Sequence, residues 1–209
     1  MGGSEKRGEL DFYFDFTSPY AYLAHCRLPQ LADQYGYSVN YRPVDLAALK
    51  AAAGNTGPAT VRMPLKLRYV MADIGRWVQR YGVPFRVGRE SVFESELANK
   101  GAFFALDQGR ARDYVSALWQ ATYGAGGSMG SEELLAEVAS RMGWSPDAFL
   151  DYVTSAAATE RYRKAASDAH ERGVFGVPTV MLGEQMWWGN DRLDFLEECL
   201  AGANADQSI

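Results

Sequence analysis

Histidine and cysteine are scarce: two of each occur in 209 residues. Cys26 and Cys199 lie far apart, in neither CxxC nor metal-ligand spacing, so neither a disulfide framework nor a zinc site is indicated. Such usage suits a reducing compartment. His25 and His170 leave little material for histidine acid–base work or metal ligation, and no metal is expected. No window approaches the roughly 18 to 20 uninterrupted apolar residues of a membrane helix. The polar start MGGSEKRGEL lacks the apolar stretch of a secretory signal, so the expectation is a cytoplasmic protein that engages no membrane. Basic blocks long enough to track a phosphate backbone are absent too. Acidic residues outnumber basic ones 26 to 21, giving a net charge of -5, and nucleic acid is not an expected partner.

What is present is a chain that is 47% hydrophobic and 22% charged, enough to bury a substantial core. Leu10, Phe12, Phe14 and Phe16 alternate with Asp11, Tyr13, Asp15 and Thr17, the period of a strand with distinct faces. Ser18-Pro19 reads as an N-cap followed by proline at the first helical position; Leu23, Leu28, Leu31 and Tyr35 follow, and Gly36 ends the helix. A second strand around Val39 and Tyr41 completes a β-α-β opening, with a right-handed, parallel crossover. From Thr60 to Arg172 the apolar period becomes helical, and five or six helices are expected. Strand character returns over Pro178–Leu182, turns at Gly183-Glu184 and resumes at Met186–Trp188. Asn190 is then expected to cap a last helix, Asp191–Leu200.

The closing hairpin needs the opening strands to complete its sheet, so one sheet-containing domain is split around a helical one. The expected organisation is 10–59 plus 173–202 for the sheet domain and 60–172 for the inserted helices, with flexible tails at 1–9 and 203–209. The turn-rich Ala53–Pro58 segment is the candidate boundary.

Three features carry possible chemistry. Ser18 is first a helix cap, yet a helix N-terminus directly after a parallel strand presents free N–H groups and a positive dipole end, where an anion or thiolate is stabilised. Val177-Pro178, entering a strand, is either an ordinary proline at a strand start or a cis bond that exposes the valine backbone groups. Trp188–Arg192 offers capping N–H groups and a carboxylate able to hold a zwitterionic amino-acid head, or simply caps the last helix well. A strand, Ser-Pro and helix at the start, with a proline loop before a late strand, match the thioredoxin-like plan, in which that loop faces the first helix. Cys26 lies about 12 Å along the helix from Ser18 and off its face, and His25 about 10 Å away, too far for a Ser–His pair.

The segments DFYFDFTSPYAYLA, VDLAALKAAAGNTGP, DIGRWVQRYGVP, AATERYRKA, VFGVPTVMLG and MWWGNDRLDFLE resemble the 2-hydroxychromene-2-carboxylate isomerases, over roughly Leu10 to Leu200. That family is similar to kappa-class glutathione transferases and, more distantly, to bacterial disulfide oxidoreductases, whose CxxC falls on Ser18-Pro19-Tyr20-Ala21. Neither a hydroxyl nor a methyl can form a mixed disulfide, so disulfide exchange at that site is excluded.

The resemblance implies an α/β, thioredoxin-like fold with a large all-helical insertion, glutathione as cofactor, and a cytoplasmic homodimer. It implies that Ser18 hydrogen-bonds the glutathione sulfur, that Val177 beside a cis Pro178 pairs with its cysteinyl backbone, and that Asn190 and Asp191 hold its γ-glutamyl end. Lys50 and Asn55 match positions near the family's cleft, and Lys50 or Arg62 would receive the carboxylate of a small aromatic acid. Thr60 departs from the asparagine expected there. The implied reaction interconverts 2-hydroxychromene-2-carboxylate and trans-o-hydroxybenzylidenepyruvate in naphthalene-type degradation. Alternatives are a kappa-type transferase or peroxidase, and a non-catalytic thioredoxin-like binding module.

Overall fold

A computed structural model describes residues 7–88 and 94–205. Its framework is a four-stranded mixed sheet in the order β2-β1-β3-β4. Strand β1 (Gly8–Phe14) is central: it pairs in parallel with β2 (Tyr37–Pro43), setting Phe12 opposite Tyr41, and antiparallel with β3 (Thr179–Leu182), setting Phe12 opposite Val180. Strand β4 (Gln185–Trp188) closes the hairpin on β3. The alternation read from the sequence works as expected. Leu10, Phe12, Phe14 and Phe16 enter one apolar cluster, while Tyr13 enters another with Val44, Leu49 and Val174.

The strand stops at Phe14, short of the Thr17 that the alternation suggests. The Asp15 side chain causes this: its Oδ1 accepts from Thr17 N–H at 2.9 Å and bends the chain into a turn that no strand can continue. Helix α1 (Pro19–Tyr35) starts at once, with Ser18 as N-cap and Gly36, at φ 78°, as the left-handed C-cap. A further helix, α2 (Leu46–Ala52), follows β2 in a stretch to which the sequence reading assigned no element, and it ends just before the Ala53–Pro58 segment. Asp45 caps it, accepting from Ala47 and Ala48 N–H. Only Leu49 of α2 is buried, so no apolar period marked it.

Six α-helices lie between β2 and the hairpin beyond α2: α3 (Pro64–Tyr81), α4 (Glu96–Asp107), α5 (Ala111–Trp119), α6 (Glu132–Arg141), α7 (Pro146–Thr154) and α8 (Ala156–Glu171). Most of them share the sheet's core. Trp119 of α5 packs on Phe14 and Phe16 with ring centroids 5.4 and 5.0 Å apart, and Tyr114 meets Phe16 edge-on. Helix α3 differs, because Ile74 is its one fully buried residue and Leu65, Tyr69 and Met71 face solvent. The last helix, α9 (Leu193–Ala205), starts later than expected, since a 3-10 turn occupies Asn190–Arg192. Asn190 lies inside that turn and its side chain does not cap it, contrary to the sequence expectation. Among the described residues no helix is long and apolar enough to cross a membrane.

Two close contacts in this core have measurable consequences. A Cβ on Gly101 of α4 would overlap the Tyr114 hydroxyl and lie 2.7 Å from Phe149 Cζ, so α4 approaches α5 and α7 only because the side chain is absent. Gly101→Ala is expected to destabilise the protein by about 1–3 kcal/mol despite alanine's higher helix propensity, as read by urea unfolding. His25 is held neutral. The Ser116 hydroxyl donates to Arg112 C=O, so His25 Nε2–H donates to Ser116 Oγ at 2.8 Å, while Nδ1 accepts from the Tyr41 hydroxyl at 3.2 Å. Burial, and then repulsion from Arg112, push His25 down to about 3. Its folded-state value is below its unfolded value of about 6.5. The contribution is therefore whole above pH 6.5 and is lost as pH falls from there toward 3, by at most about 1.4 kcal/mol per pH unit. Comparing unfolding at pH 7 and pH 5, the loss should be smaller in His25→Gln than in the wild type; equal losses would refute the assignment.

Candidate active site

The junction between β1 and α1 lies between two concavities. On one side is a cleft of about 440 Å³ whose lining includes Tyr20, Val177, Pro178, Gly189, Asn190 and Asp191. On the other is a cavity of about 720 Å³ whose lining includes Asp15, Thr17, Lys50, Asn55, Lys66 and Glu94. Thr17 reaches the cavity and Tyr20 the cleft, so Ser18-Pro19 is the short stretch of chain that separates them. Both volumes fall in the range of small-molecule sites.

Ser18 is 6% exposed. Its Oγ accepts from Ala21 N–H at 3.2 Å, and its own proton has no acceptor among the described residues. Capping uses a lone pair of this hydroxyl and leaves its O–H to donate. Proline at the first helical position fixes φ there and removes no needed donor.

The Val177–Pro178 peptide is cis. Pro178 C=O accepts from Gly189 N–H at 2.9 Å and Thr179 Oγ1 donates to Gly176 C=O at 2.7 Å, which tie the proline loop to the end of β4. Neither Val177 N–H nor its C=O is hydrogen-bonded among the described residues. Trp188 also lines the cleft, stacked edge-on with Phe175 at 4.9 Å. A Cβ on Gly176 would lie 2.9 Å from its indole nitrogen.

Asn190 is 3% exposed and its side-chain nitrogen has no hydrogen-bond partner among the described residues. A buried amide donor without a partner costs about 1–3 kcal/mol, a cost that a ligand acceptor removes. The neighbouring Asp191 carboxylate is exposed and pairs with Arg192 at 3.1 Å. Tyr20 closes the other wall, donating to Asp73 Oδ2 of α3 at 2.9 Å. Burial, then that bond, raise its phenol above the usual tyrosine value, so it remains a protonated donor.

The structure therefore brings Val177, Pro178, Asn190 and Asp191 into one cleft, beside the helix that Ser18 caps. Lys50 and Asn55 share the second cavity. Arg62 lines neither: it is exposed in the 3-10 turn Thr60–Arg62, and Lys66, one turn further on, lines the cavity in its place. Neither Lys50 nor Lys66 forms an ion pair among the described residues. Cys26 is pushed up to about 11 by burial, which leaves it a poor nucleophile.

Sequence reasoning missed a buried polar cluster under the cavity. Asp15 Oδ1 accepts from Thr17 Oγ1 at 3.0 Å and from Ser95 Oγ at 2.5 Å, in addition to Thr17 N–H, and Oδ2 accepts from Leu46 N–H at 3.0 Å. Asn99 of α4 extends the cluster, donating to Ser95 Oγ and to Tyr162 Oη and accepting from Phe16 N–H.

Several known proteins resemble this chain over most of its length. Residues 9–201 match the family described as the DSBA-like thioredoxin domain. The 2-hydroxychromene-2-carboxylate isomerase of Pseudomonas putida is 43% identical over 202 residues, covering 95% of this chain and 98% of that protein. A solved structure of a 2-hydroxychromene-2-carboxylate isomerase superposes with a TM-score of 0.89 at 43% identity, covering 96% of this chain and 100% of its own. Glutathione S-transferase kappa 2 of Caenorhabditis elegans is more distant, 24% identical over 214 residues, with 94% of this chain and 95% of that protein covered. The chain belongs to the DSBA-like thioredoxin domain family and, within it, to the 2-hydroxychromene-2-carboxylate isomerase family.

Proposed function

We propose that the chain is a glutathione-dependent isomerase that interconverts 2-hydroxychromene-2-carboxylate and trans-o-hydroxybenzylidenepyruvate, in breakdown of naphthalene-type aromatics. The observation that carries the glutathione part is the unpartnered, buried Asn190 amide nitrogen beside the Asp191 carboxylate in the cleft of the cis-proline loop. A donor and an acceptor side by side suit the carboxylate and ammonium of an amino-acid head, such as the γ-glutamyl end of glutathione. The unbonded Val177 N–H and C=O suit a peptide backbone laid antiparallel to them.

The chemical difficulty is rotation about a conjugated double bond. Glutathione, held by Val177, Asn190 and Asp191, would supply a thiolate able to add reversibly to such a bond, which is then free to rotate as a single bond until elimination restores the alkene and the thiol. The chain's own task is to keep that sulfur ionised and aimed. Ser18 donates its free hydroxyl proton to the sulfur, and the N-terminal dipole of α1 favours the negative charge. Lys50 receives the substrate carboxylate in the larger cavity, and the Asn55 loop borders it. On this reading the Ser18-Pro19 stretch lies between the cleft that holds glutathione and the cavity that holds the substrate carboxylate.

Loss of the Ser18 hydroxyl should raise the pKa of bound glutathione by about one unit, because a hydrogen bond to a charged group contributes about 1.5–3 kcal/mol. The rate rises with pH as the thiol ionises, so the ascending limb moves to higher pH in Ser18→Ala. Ser18→Gly separates this from capping, since glycine at an N-cap costs only a few tenths of a kcal/mol. Ultraviolet titration of bound thiolate reads the shift; coincident curves for both variants and wild type would remove the role.

Asn190→Ala is expected to weaken glutathione binding about tenfold in calorimetry with little change in melting temperature, since the amide nitrogen has no partner among the described residues to lose. The reaction type is tested by incubating the hydroxychromene acid with and without glutathione. Conversion that requires glutathione but leaves its concentration constant supports the isomerase, whereas a covalent glutathione product identifies a transferase.

A further inference from the structure

The Asp15 carboxylate stands where the two halves of the proposed site meet. Burying a carboxylate costs several kcal/mol unless hydrogen bonds repay it, and Asp15, 3% exposed, accepts four. The donors come from three places: the Thr17 turn that leads to α1, the first residue of α2, and Ser95 at the start of α4. The Asp15 backbone carbonyl also accepts from Ser18 N–H at 2.9 Å. Its two oxygens are divided between these parts, Oδ1 serving Thr17 and Ser95, and Oδ2 serving Leu46. The same residue thus fixes the Ser18 turn and the N-terminus of the helix that carries Lys50.

We propose that Asp15 is a positioning residue for the isomerisation, holding the Ser18 turn and the Lys50 helix in one geometry so that a thiolate at the first and a carboxylate at the second act on one substrate. It touches no reacting atom. Misplacing reacting groups by about 1 Å costs on the order of a hundredfold in rate, which is the kind of error this tie prevents. The inference rests on the glutathione-isomerase reading above.

Two variants cut the tie from opposite sides. Asp15→Asn keeps the volume but turns one acceptor into a donor, which then faces either Leu46 N–H or the Thr17 and Ser95 donors. Leu46→Pro leaves Asp15 intact and deletes the N–H it binds. Proline suits that position, the first of α2, because the preceding Asp45 is extended at φ -77°, ψ 104°. Val153→Ala, in the buried face of α7, is a control that loses stability alone.

The readouts are isomerase kcat and KM, titration of bound glutathione thiolate, melting temperature, and hydrogen exchange of the α2 amides. Both tie variants are expected to lower kcat about ten- to hundredfold and to speed exchange across Ala47–Ala52. Glutathione affinity and the thiolate titration should stay near wild type in Leu46→Pro, which leaves the Ser18 turn intact. If Asp15→Asn does not fold, Leu46→Pro decides alone. A kcat that merely follows melting temperature across all three variants, or α2 exchange equal to wild type, overturns the proposal. If the wild type itself shows no glutathione-dependent conversion, the isomerase reading fails and the positioning role falls with it. Conversion in wild type without the kcat loss overturns the Asp15 role alone.

Discussion

The chain has four residues, Asp15 to Ser18, in which to leave a central strand and enter a helix whose axis runs back across the sheet. Everything around the site depends on that turn being made the same way each time. Backbone preference alone does not secure it, because Phe16 continues the strand's apolar alternation and its ring is wanted in the core beside Tyr114 and Trp119. The Asp15 carboxylate resolves the conflict by offering the Thr17 N–H a closer acceptor than the next rung of the sheet. Phe16 still reaches the core, and Ser18 arrives in the extended conformation of an N-cap, at φ -87° and ψ 111°. One buried carboxyl group thus replaces a loop, and the helix N-terminus is held at the end of the central strand β1, beside the cis-proline loop that leads into β3.

The parts of the fold legible in the sequence are those whose local chemistry and tertiary fate agree. Strand β1, helix α1 from Ser18 to Gly36 and the hairpin about Gly183 are of this kind, each bounded by a capping or turn residue that acts within a few positions. Helix α2 was not legible, since it packs through Leu49 alone and an alanine-rich stretch has no face to betray it. The candidate site divides in the same way. Ser18, Pro178, Asn190 and Asp191 stand at element boundaries and were legible there as candidates, although the helix cap expected of the Asn190 side chain is not formed. The Asp15 cluster escaped because Ser95 and Asn99 lie 80 and more residues away and meet it only after the helices pack on the sheet. Lys66 escaped for a smaller reason, the rotation of the 3-10 turn that carries Arg62 outward and brings the next turn of α3 over the cavity.

The helices from α4 to α7 are more than an appendage to the sheet, and this bears on how the site is kept rigid. Trp119 and Tyr114 fill the space above Phe14 and Phe16, and Tyr123 donates to Thr17 C=O, immediately before Ser18. Tyr22, one turn into α1, donates to Pro84 C=O and stacks near Tyr123 and Phe85. The start of α1 is therefore clasped by aromatic side chains from the helical part on one side and by the Asp15 carboxylate beneath. Such a clasp limits motion at the point where, on the proposed reading, a bound sulfur is met by the Ser18 hydroxyl, and side chains locked by packing hold that distance better than a surface loop would.

Replacing a cysteine by serine at such a junction changes what the fold can do without changing what it offers. The helix dipole, the cap and the facing proline loop remain those of a site that stabilises a thiolate, yet the residue at the cap has no thiolate to give. An oxygen nucleophile there would need a base, and His25, the nearest imidazole, is neutral, buried and committed to Tyr41 and Ser116. Cys26 is no substitute, since burial holds its thiol protonated. The reactive sulfur on the proposed reading must then come from outside, and the cleft's free Asn190 donor and open Val177 backbone groups are the features that would seize its carrier. A borrowed thiol has an advantage for a reversible addition: both addition and elimination occur at an atom held only by noncovalent contacts, so the chain itself is never alkylated. On the proposed reading, serine at position 18 enforces that division of labour, because its hydroxyl can donate to the sulfur but cannot compete with it.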